Sequence, residues 1–222
     1  MDSFKEKFVE EKALEVIKAL ENNNMNGYFA KTREEAKKIA ESLLNDGDVV
    51  SHGGSVTLKE CGITELLKNG KYTYLDRSVP GLTSDEIMEI YRKSFFADAY
   101  FTSTNALTVN GELYNVDGNA NRVAAMLFGP KKVVVIAGYN KIVNSIDEAA
   151  KRVKSIAAPA NCLRLEKDTY CNKKCQCVAL NDDSIFAGCQ SDDRICRNFT
   201  VMSKQGVKGR VNVIIVGEEL GY

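Results

Sequence analysis

Short apolar runs alternating with capped helix starts limit what this chain can fold into more than any other feature. The runs at 133–137 and 213–216 are continuous and rich in β-branched residues, the pattern of strands covered on both faces. Further strands are expected at 27–30, 48–51, 98–102 and 199–202. Between them, Thr32-Arg33-Glu34-Glu35, Thr57-Leu58-Lys59-Glu60 and Ser145-Ile146-Asp147-Glu148 read as capping boxes, and another helix start lies at Thr83-Ser84-Asp85-Glu86. Phe4, Phe8, Val9, Ala13, Val16, Ile17 and Leu20 share one helical stripe before Asn22. Asn110-Gly111 marks a hairpin, and an apolar helix at 123–128 closes at Gly129-Pro130. The alternation predicts an α/β protein with a mainly parallel sheet and helices on both faces, plus a β-hairpin.

Composition then removes whole classes of function. Thirty basic and 30 acidic side chains cancel, which argues against a nucleic-acid partner. No apolar run approaches the ~20 residues of a membrane span. No apolar signal region follows Met1, so a cytoplasmic address is expected. The chain of 222 residues reads as one domain over 1–222, with a helix at 1–24 and a cysteine-rich, aperiodic insert at 158–197 as appendages. The amphipathic first helix leaves two arrangements open: packing on its own sheet, or on a second copy as a homodimer.

Three places carry candidate chemistry. The first is the turn Gly53-Gly54-Ser55 with Thr57, between a strand and a helix start, where backbone N–H groups and hydroxyls suit an anion. Its spacing is neither a Walker loop nor a dinucleotide fingerprint, so no nicotinamide or flavin motif is present. His52 beside it is the single histidine and the only ready proton carrier near neutral pH, hence the candidate catalytic residue. The second groups Asn105 with Asp117, Gly118, Asn119 and Arg122, whose polar groups suit a sugar, a phosphate or a carboxylic acid. Asx-turn chemistry explains the same residues without a ligand. The third is the run Cys171, Cys175, Cys177, Cys189 and Cys196. Thiolates suit zinc or an iron–sulfur cluster, and a redox pair or inert thiols are the alternatives.

Several ordered motifs resemble one family. Gly53-Gly54-Ser55-Val56-Thr57-Leu58, the stretch from Phe96 to Ala106, and Asn110-Gly111-Glu112-Leu113-Tyr114-Asn115-Val116-Asp117-Gly118 are similar to the lactate-utilisation (LUD) domain family. Asn121-Arg122-Val123-Ala124-Ala125, Gly138-Tyr139-Asn140-Lys141-Ile142-Val143, Ala158-Pro159-Ala160-Asn161 and Asp193-Arg194-Ile195-Cys196 continue the likeness. The resemblance implies the ribose-5-phosphate isomerase, glucosamine-6-phosphate deaminase and CoA-transferase-like fold, a Rossmann-like sheet with ligand at its strand ends. It adds Lys141 to the ligand-binding candidates. It further implies a small anionic metabolite and a role as a subunit or accessory of L-lactate oxidation, beside iron–sulfur partner subunits. Two other readings stay open: a stand-alone isomerase or acyl/CoA-transferase-like enzyme, and a metal or redox module built on the cysteines.

Overall fold

The computed structural model describes residues 2–222 and centres on a six-stranded parallel sheet. Its strands are β1 (Asn26–Ala30), β2 (Val49–His52), β3 (Thr73–Tyr74), β4 (Ala99–Thr102), β7 (Lys132–Gly138) and β10 (Val211–Val216), in the order β1-β10-β7-β4-β2-β3. A second, mixed sheet holds β5 (Ala106–Thr108), β6 (Leu113–Asp117), β8 (Ile142–Val143) and β9 (Asn198–Met202), in the order β8-β5-β6-β9. The architecture is Rossmann-like, as the alternation and the resemblance led one to expect.

The period of two along the central strands assigns the two faces. Val134 and Ile136 of β7, with Ile214 and Val216 of β10, face α2 (Arg33–Ser42), α3 (Val56–Glu60) and α4 (Ile63–Leu67). Val133, Val135, Val213 and Ile215 face the other way, onto Ala13, Val16 and Leu20 of α1 (Ser3–Asn22) and Met126 of α6 (Asn121–Leu127). Each of these fully buried aliphatic side chains contributes on the order of 1.5–3 kcal/mol through loss of hydrated surface. The stripe on α1 is therefore spent on its own sheet, except that Phe4 and Phe8 stay exposed.

Helix starts follow the expected caps with one correction. Thr83, before α5 (Ser84–Lys93), makes a complete capping box with Glu86. Thr32 and Ser145 also cap with their hydroxyls, but Glu35 and Glu148 reach one residue further back, to the N–H of Lys31 and Asn144. At α3 the cap is Ser55, whose hydroxyl accepts from Leu58 N, and not Thr57. Thr57 lies inside the first turn and is buried, because its hydroxyl is used in the site described below.

The hairpin forms with a longer connection than a two-residue turn. Ala106 pairs with Tyr114 and Leu107 with Leu113, and Thr108 N donates to Glu112 O. Gly111 has φ +78°, and a Cβ there would lie 2.8 Å from the Ala19 carbonyl carbon, so the hairpin tip can dock on the end of α1 only with glycine. Asn23 Nδ2 completes the contact by donating to Asn110 O.

The segment 158–197 begins inside a continuous helix. α7 (Ile146–Arg152) runs through a π-helical turn, Val153–Ala157, into α8 (Ala158–Arg164). Pro159 has no N–H and its ring crowds the carbonyl four residues earlier, so the ladder widens just before it. After α9 (Tyr170–Lys174) the chain is irregular until β9. Among the described residues no helix is long and apolar enough to cross a membrane.

Candidate functional site

All six strands of the large sheet point the same way, so their carboxyl ends share one rim. The strand order reverses at β2 and β4: the chain leaves β2 outward to β3, then returns to place β4 on its other side. Loops diverge at such a switch point and leave a crevice between them. A polar cleft of about 500 Å³ lies there. Its walls come from the loops that follow β2 (Gly54, Ser55), β3 (Arg77), β4 (Ser103, Asn105), β7 (Lys141) and β10 (Gly221, Tyr222). The π-helical turn adds Val153 and Ala157, and the cysteine-rich segment covers the outer side with Arg194, Ile195 and Cys196.

The charge of this cleft is one-sided. Seven basic side chains line it against two carboxylates, Asp117 and Asp193. The chain as a whole is neutral, so the excess is local and favours an anion.

Gly53 and Gly54 lie directly beneath two arginine side chains. A Cβ on Gly53 would meet Arg122 Cγ at 3.0 Å and the Tyr100 hydroxyl at 3.1 Å, and one on Gly54 would lie 2.6 Å from Arg77 Nη2. The turn is therefore flat so that a guanidinium can descend onto it, next to the cap formed by Ser55. Arg77 is held by its other nitrogen, which donates to the Tyr91 hydroxyl at 2.8 Å, and it stacks 5.5 Å from that ring's centroid. Arg77 was not among the sequence candidates, because no motif surrounds it in Asp76-Arg77-Ser78.

Arg122 occupies a different role from the one its position suggested. Nε donates to Asp117 Oδ2 at 3.0 Å. Nη1 donates to Ser103 O and Asn115 Oδ1, and Nη2 to Asn105 Oδ1 and Val116 O. A guanidinium has five N–H bonds, and here five oxygens accept them. Its side chain is 13% exposed and its charge is met by Asp117. Asp117 also accepts from the N–H of Asn119 and Ala120, forming an Asx turn just before α6. Asn105 Oδ1 takes a second bond from Val116 N. The cluster is thus a clasp that fixes the β4–β5 and β6–α6 connections as one wall of the cleft. Asn119 and Gly118 stand at the rim. The cysteine-rich segment crosses Gly118 at Ile195, in ordinary van der Waals contact.

His52 points away from the cleft and is not among its lining residues. Its Nδ1 lies 2.7 Å from Gly53 O, which assigns the proton to that nitrogen, and its ring stacks on Tyr74 at 5.7 Å. Burial holds its pKa below the ordinary histidine value. Nε2 is buried without a partner, and the ring packs on Tyr74 of β3.

Lys141 is drawn deep into the site. It is 3% exposed, and its Nζ donates to Thr57 Oγ1 and Ser103 Oγ, each at 3.0 Å. No carboxylate pairs with it among the described residues. Burial, then the positive fields of Arg152 and Arg122, push its pKa down to about 7. Arg152 itself is buried and bonds two carbonyls, Asn105 O and Asn140 O, tying the loops after β4 and β7 together.

Four cysteines gather without forming a metal-holding group: Cys162 hydrogen-bonds with Cys171, and Cys171 and Cys177 lie close enough to Cys196 to act on its thiol. Among the described residues no group of three or more His, Cys, Asp or Glu side chains is placed to hold a metal ion. All seven thiols are free. Cys61, Cys162, Cys171 and Cys177 are buried, Cys175 is exposed, and Cys189 and Cys196 are intermediate. Burial pushes the thiols of Cys61 and Cys162 up to about 12 and raises that of Cys196. Another device orders this segment: Arg194 donates to Cys196 O, Cys189 O and Phe186 O. A bridging guanidinium does here what a four-thiolate metal site was expected to do. The residues do not fit zinc or an iron–sulfur cluster in this arrangement.

Fold and site together define an α/β protein with a cationic crevice at the carboxyl end of a parallel sheet. The sequence matches the family described as "LUD domain" over residues 13–216, and the chain belongs to that family. A DUF162 family protein from Deinococcus radiodurans is similar in structure, with TM-score 0.50 and 16% identity over 94% of this chain and 98% of that one. Two translation-factor subunits from Chaetomium thermophilum match less of the chain. For eIF2B delta the TM-score is 0.30 at 24% identity, covering 48% of this chain and 46% of that one. For eIF2B beta it is 0.34 at 15% identity, covering 52% and 40%. No curated protein matches the sequence significantly.

Proposed function

We propose that the crevice binds a small anionic metabolite, a carboxylate or a phosphorylated compound, and that the protein acts as a subunit or accessory of L-lactate oxidation. The observation that carries this reading is the local excess of basic side chains around one polar cleft at the strand ends of a neutral chain. Membership of the LUD domain family, which is associated with lactate utilisation, supports the metabolic setting. The anion is received by Arg77, the hydroxyl of Ser55 and the backbone of the Gly54 turn, while Arg122 holds the wall. An acyl-transfer reading would need a carboxylate nucleophile in the cleft. Glu112 is at the hairpin tip, where its carboxylate accepts from the Thr108 hydroxyl at 2.8 Å, and it does not line the cleft.

Ligand at 100 times its dissociation constant should stabilise the fold by about 2.7 kcal/mol. For a chain of this size that is roughly 5–10 °C in Tm. Thermal melts with phosphate, sulfate and L-lactate measure it. In Arg77→Ala the affinity should fall about tenfold or more, the scale of one lost charge-assisted bond. Melting curves that no anion shifts, or an Arg77→Ala variant that binds as tightly as the parent, would overturn the assignment.

A further inference from the structure

The amine of Lys141 is arranged in a way that anion binding alone does not use. Thr57 Oγ1 donates onward to Leu220 O at 3.4 Å and Ser103 Oγ donates onward to Thr104 O at 3.4 Å. Each hydroxyl has a carbonyl oxygen to which its proton can turn, and each oxygen lies 3.0 Å from Nζ as an acceptor. A neutral amine has two N–H bonds and one lone pair. The two N–H bonds can serve the two hydroxyls, and the lone pair then remains for a ligand atom. Gly221, with φ +54° and a would-be Cβ 2.5 Å from Thr57 Oγ1 and 3.6 Å from Nζ, lets the chain after β10 pass close over this group. The charges that act on the amine are Arg152 and Arg122, which disfavour its protonation, and Glu60 and Cys61, which favour it. The result is a positioned nucleophile in the wall of an anion-binding cleft.

We propose that Lys141 captures the carbonyl group of the anionic ligand as an imine, so that the ligand class is a carbonyl compound that also carries a carboxylate or a phosphate. The proposal rests on the anion-binding reading above. The lone pair of Nζ attacks the carbonyl carbon, the C–N bond forms, and the carbonyl π electrons move to oxygen. A proton passes from nitrogen to that oxygen, giving a carbinolamine. Loss of water breaks the C–O bond and leaves C=N, with no change in oxidation level. The anionic end of the ligand meanwhile pairs with Arg77. With its depressed pKa, this side chain has on the order of 10³ times more neutral amine at pH 7 than an ordinary lysine.

The test is reductive trapping on the full chain near neutral pH. Pyruvate and ribose 5-phosphate, each with cyanoborohydride, present the same carbonyl chemistry from two sources. The expected result is one reduced adduct per chain, mapped by peptide mass to Lys141 and at least about tenfold above any other lysine. The probe that gives it identifies the anionic group. Lys141→Met and Lys141→Arg should both lose this adduct, while phosphate shifts the melting temperature of the parent chain. Label spread over exposed lysines in the same pattern as in Lys141→Met, with phosphate binding intact, would overturn the imine and leave the anion site standing. Absence of phosphate binding in every form would instead overturn the reading beneath it.

Discussion

Replacement of Arg122 by leucine should lower the stability of the fold by about 3–5 kcal/mol, the cost of removing one partner from a buried ion pair. Asp117 would be left 11% exposed without its cation, and Ser103 O, Val116 O, Asn105 and Asn115 would each lose a donor. Asn115 is fully buried and its Nδ2 already lacks a partner, so the local network has no spare bond to redistribute. Urea unfolding measures the loss as a lower midpoint with an unchanged slope. A loss below about 1 kcal/mol would mean that the five bonds are not held in solution and that the guanidinium is available to a ligand after all.

Lys141→Met should have the opposite sign. In the native protein the amine is buried and titrates at about 7, whereas in the unfolded chain it titrates near its ordinary value of 10.5. Between those two values the unfolded state binds more protons, so native stability rises with pH across this window. The cost of burying the lysine is fully present below about pH 7 and is gone above about pH 10.5. A methionine of similar length removes that cost, so the variant should be more stable by on the order of 3–5 kcal/mol near pH 7. The gap should close toward pH 10. Unfolding of parent and variant at both pH values checks it, and a variant less stable than the parent at neutral pH would contradict it. A site residue whose removal strengthens the fold is what a binding role, and not a structural one, leads one to expect.

The sheet was legible in the sequence because its strands are short, apolar and bounded by caps. Val133, Val135, Val213 and Ile215 alternate with Val134, Ile136, Ile214 and Val216 across the two faces of the sheet. The turn at Gly53-Gly54-Ser55 was legible for the same local reason. Arg77 was not, since only the parallel pairing of β2 with β3 brings Asp76-Arg77-Ser78 over Gly54. Arg122 was legible as a site residue but not as a clasp, because its five acceptors come from two separate stretches, 103–105 and 115–117. His52 drew attention as the single imidazole. Its ring direction depends on alternation along β2, which turns it toward Tyr74. The cysteine spacing suggested a metal because thiols dominate the composition there. The element that orders the segment is Arg194, whose bonds to three carbonyls leave no trace in a side-chain pattern.

The central claim is that anions bind where the loops after β2, β3, β4 and β7 meet, and site-resolved amide hydrogen exchange with and without saturating phosphate tests it most directly. Exchange should slow at 54–58, 75–77, 103–105 and 139–141, with no change at the hairpin tip around Gly111 or along β9. Protection confined to other surfaces, or no protection anywhere despite measurable binding, would contradict it.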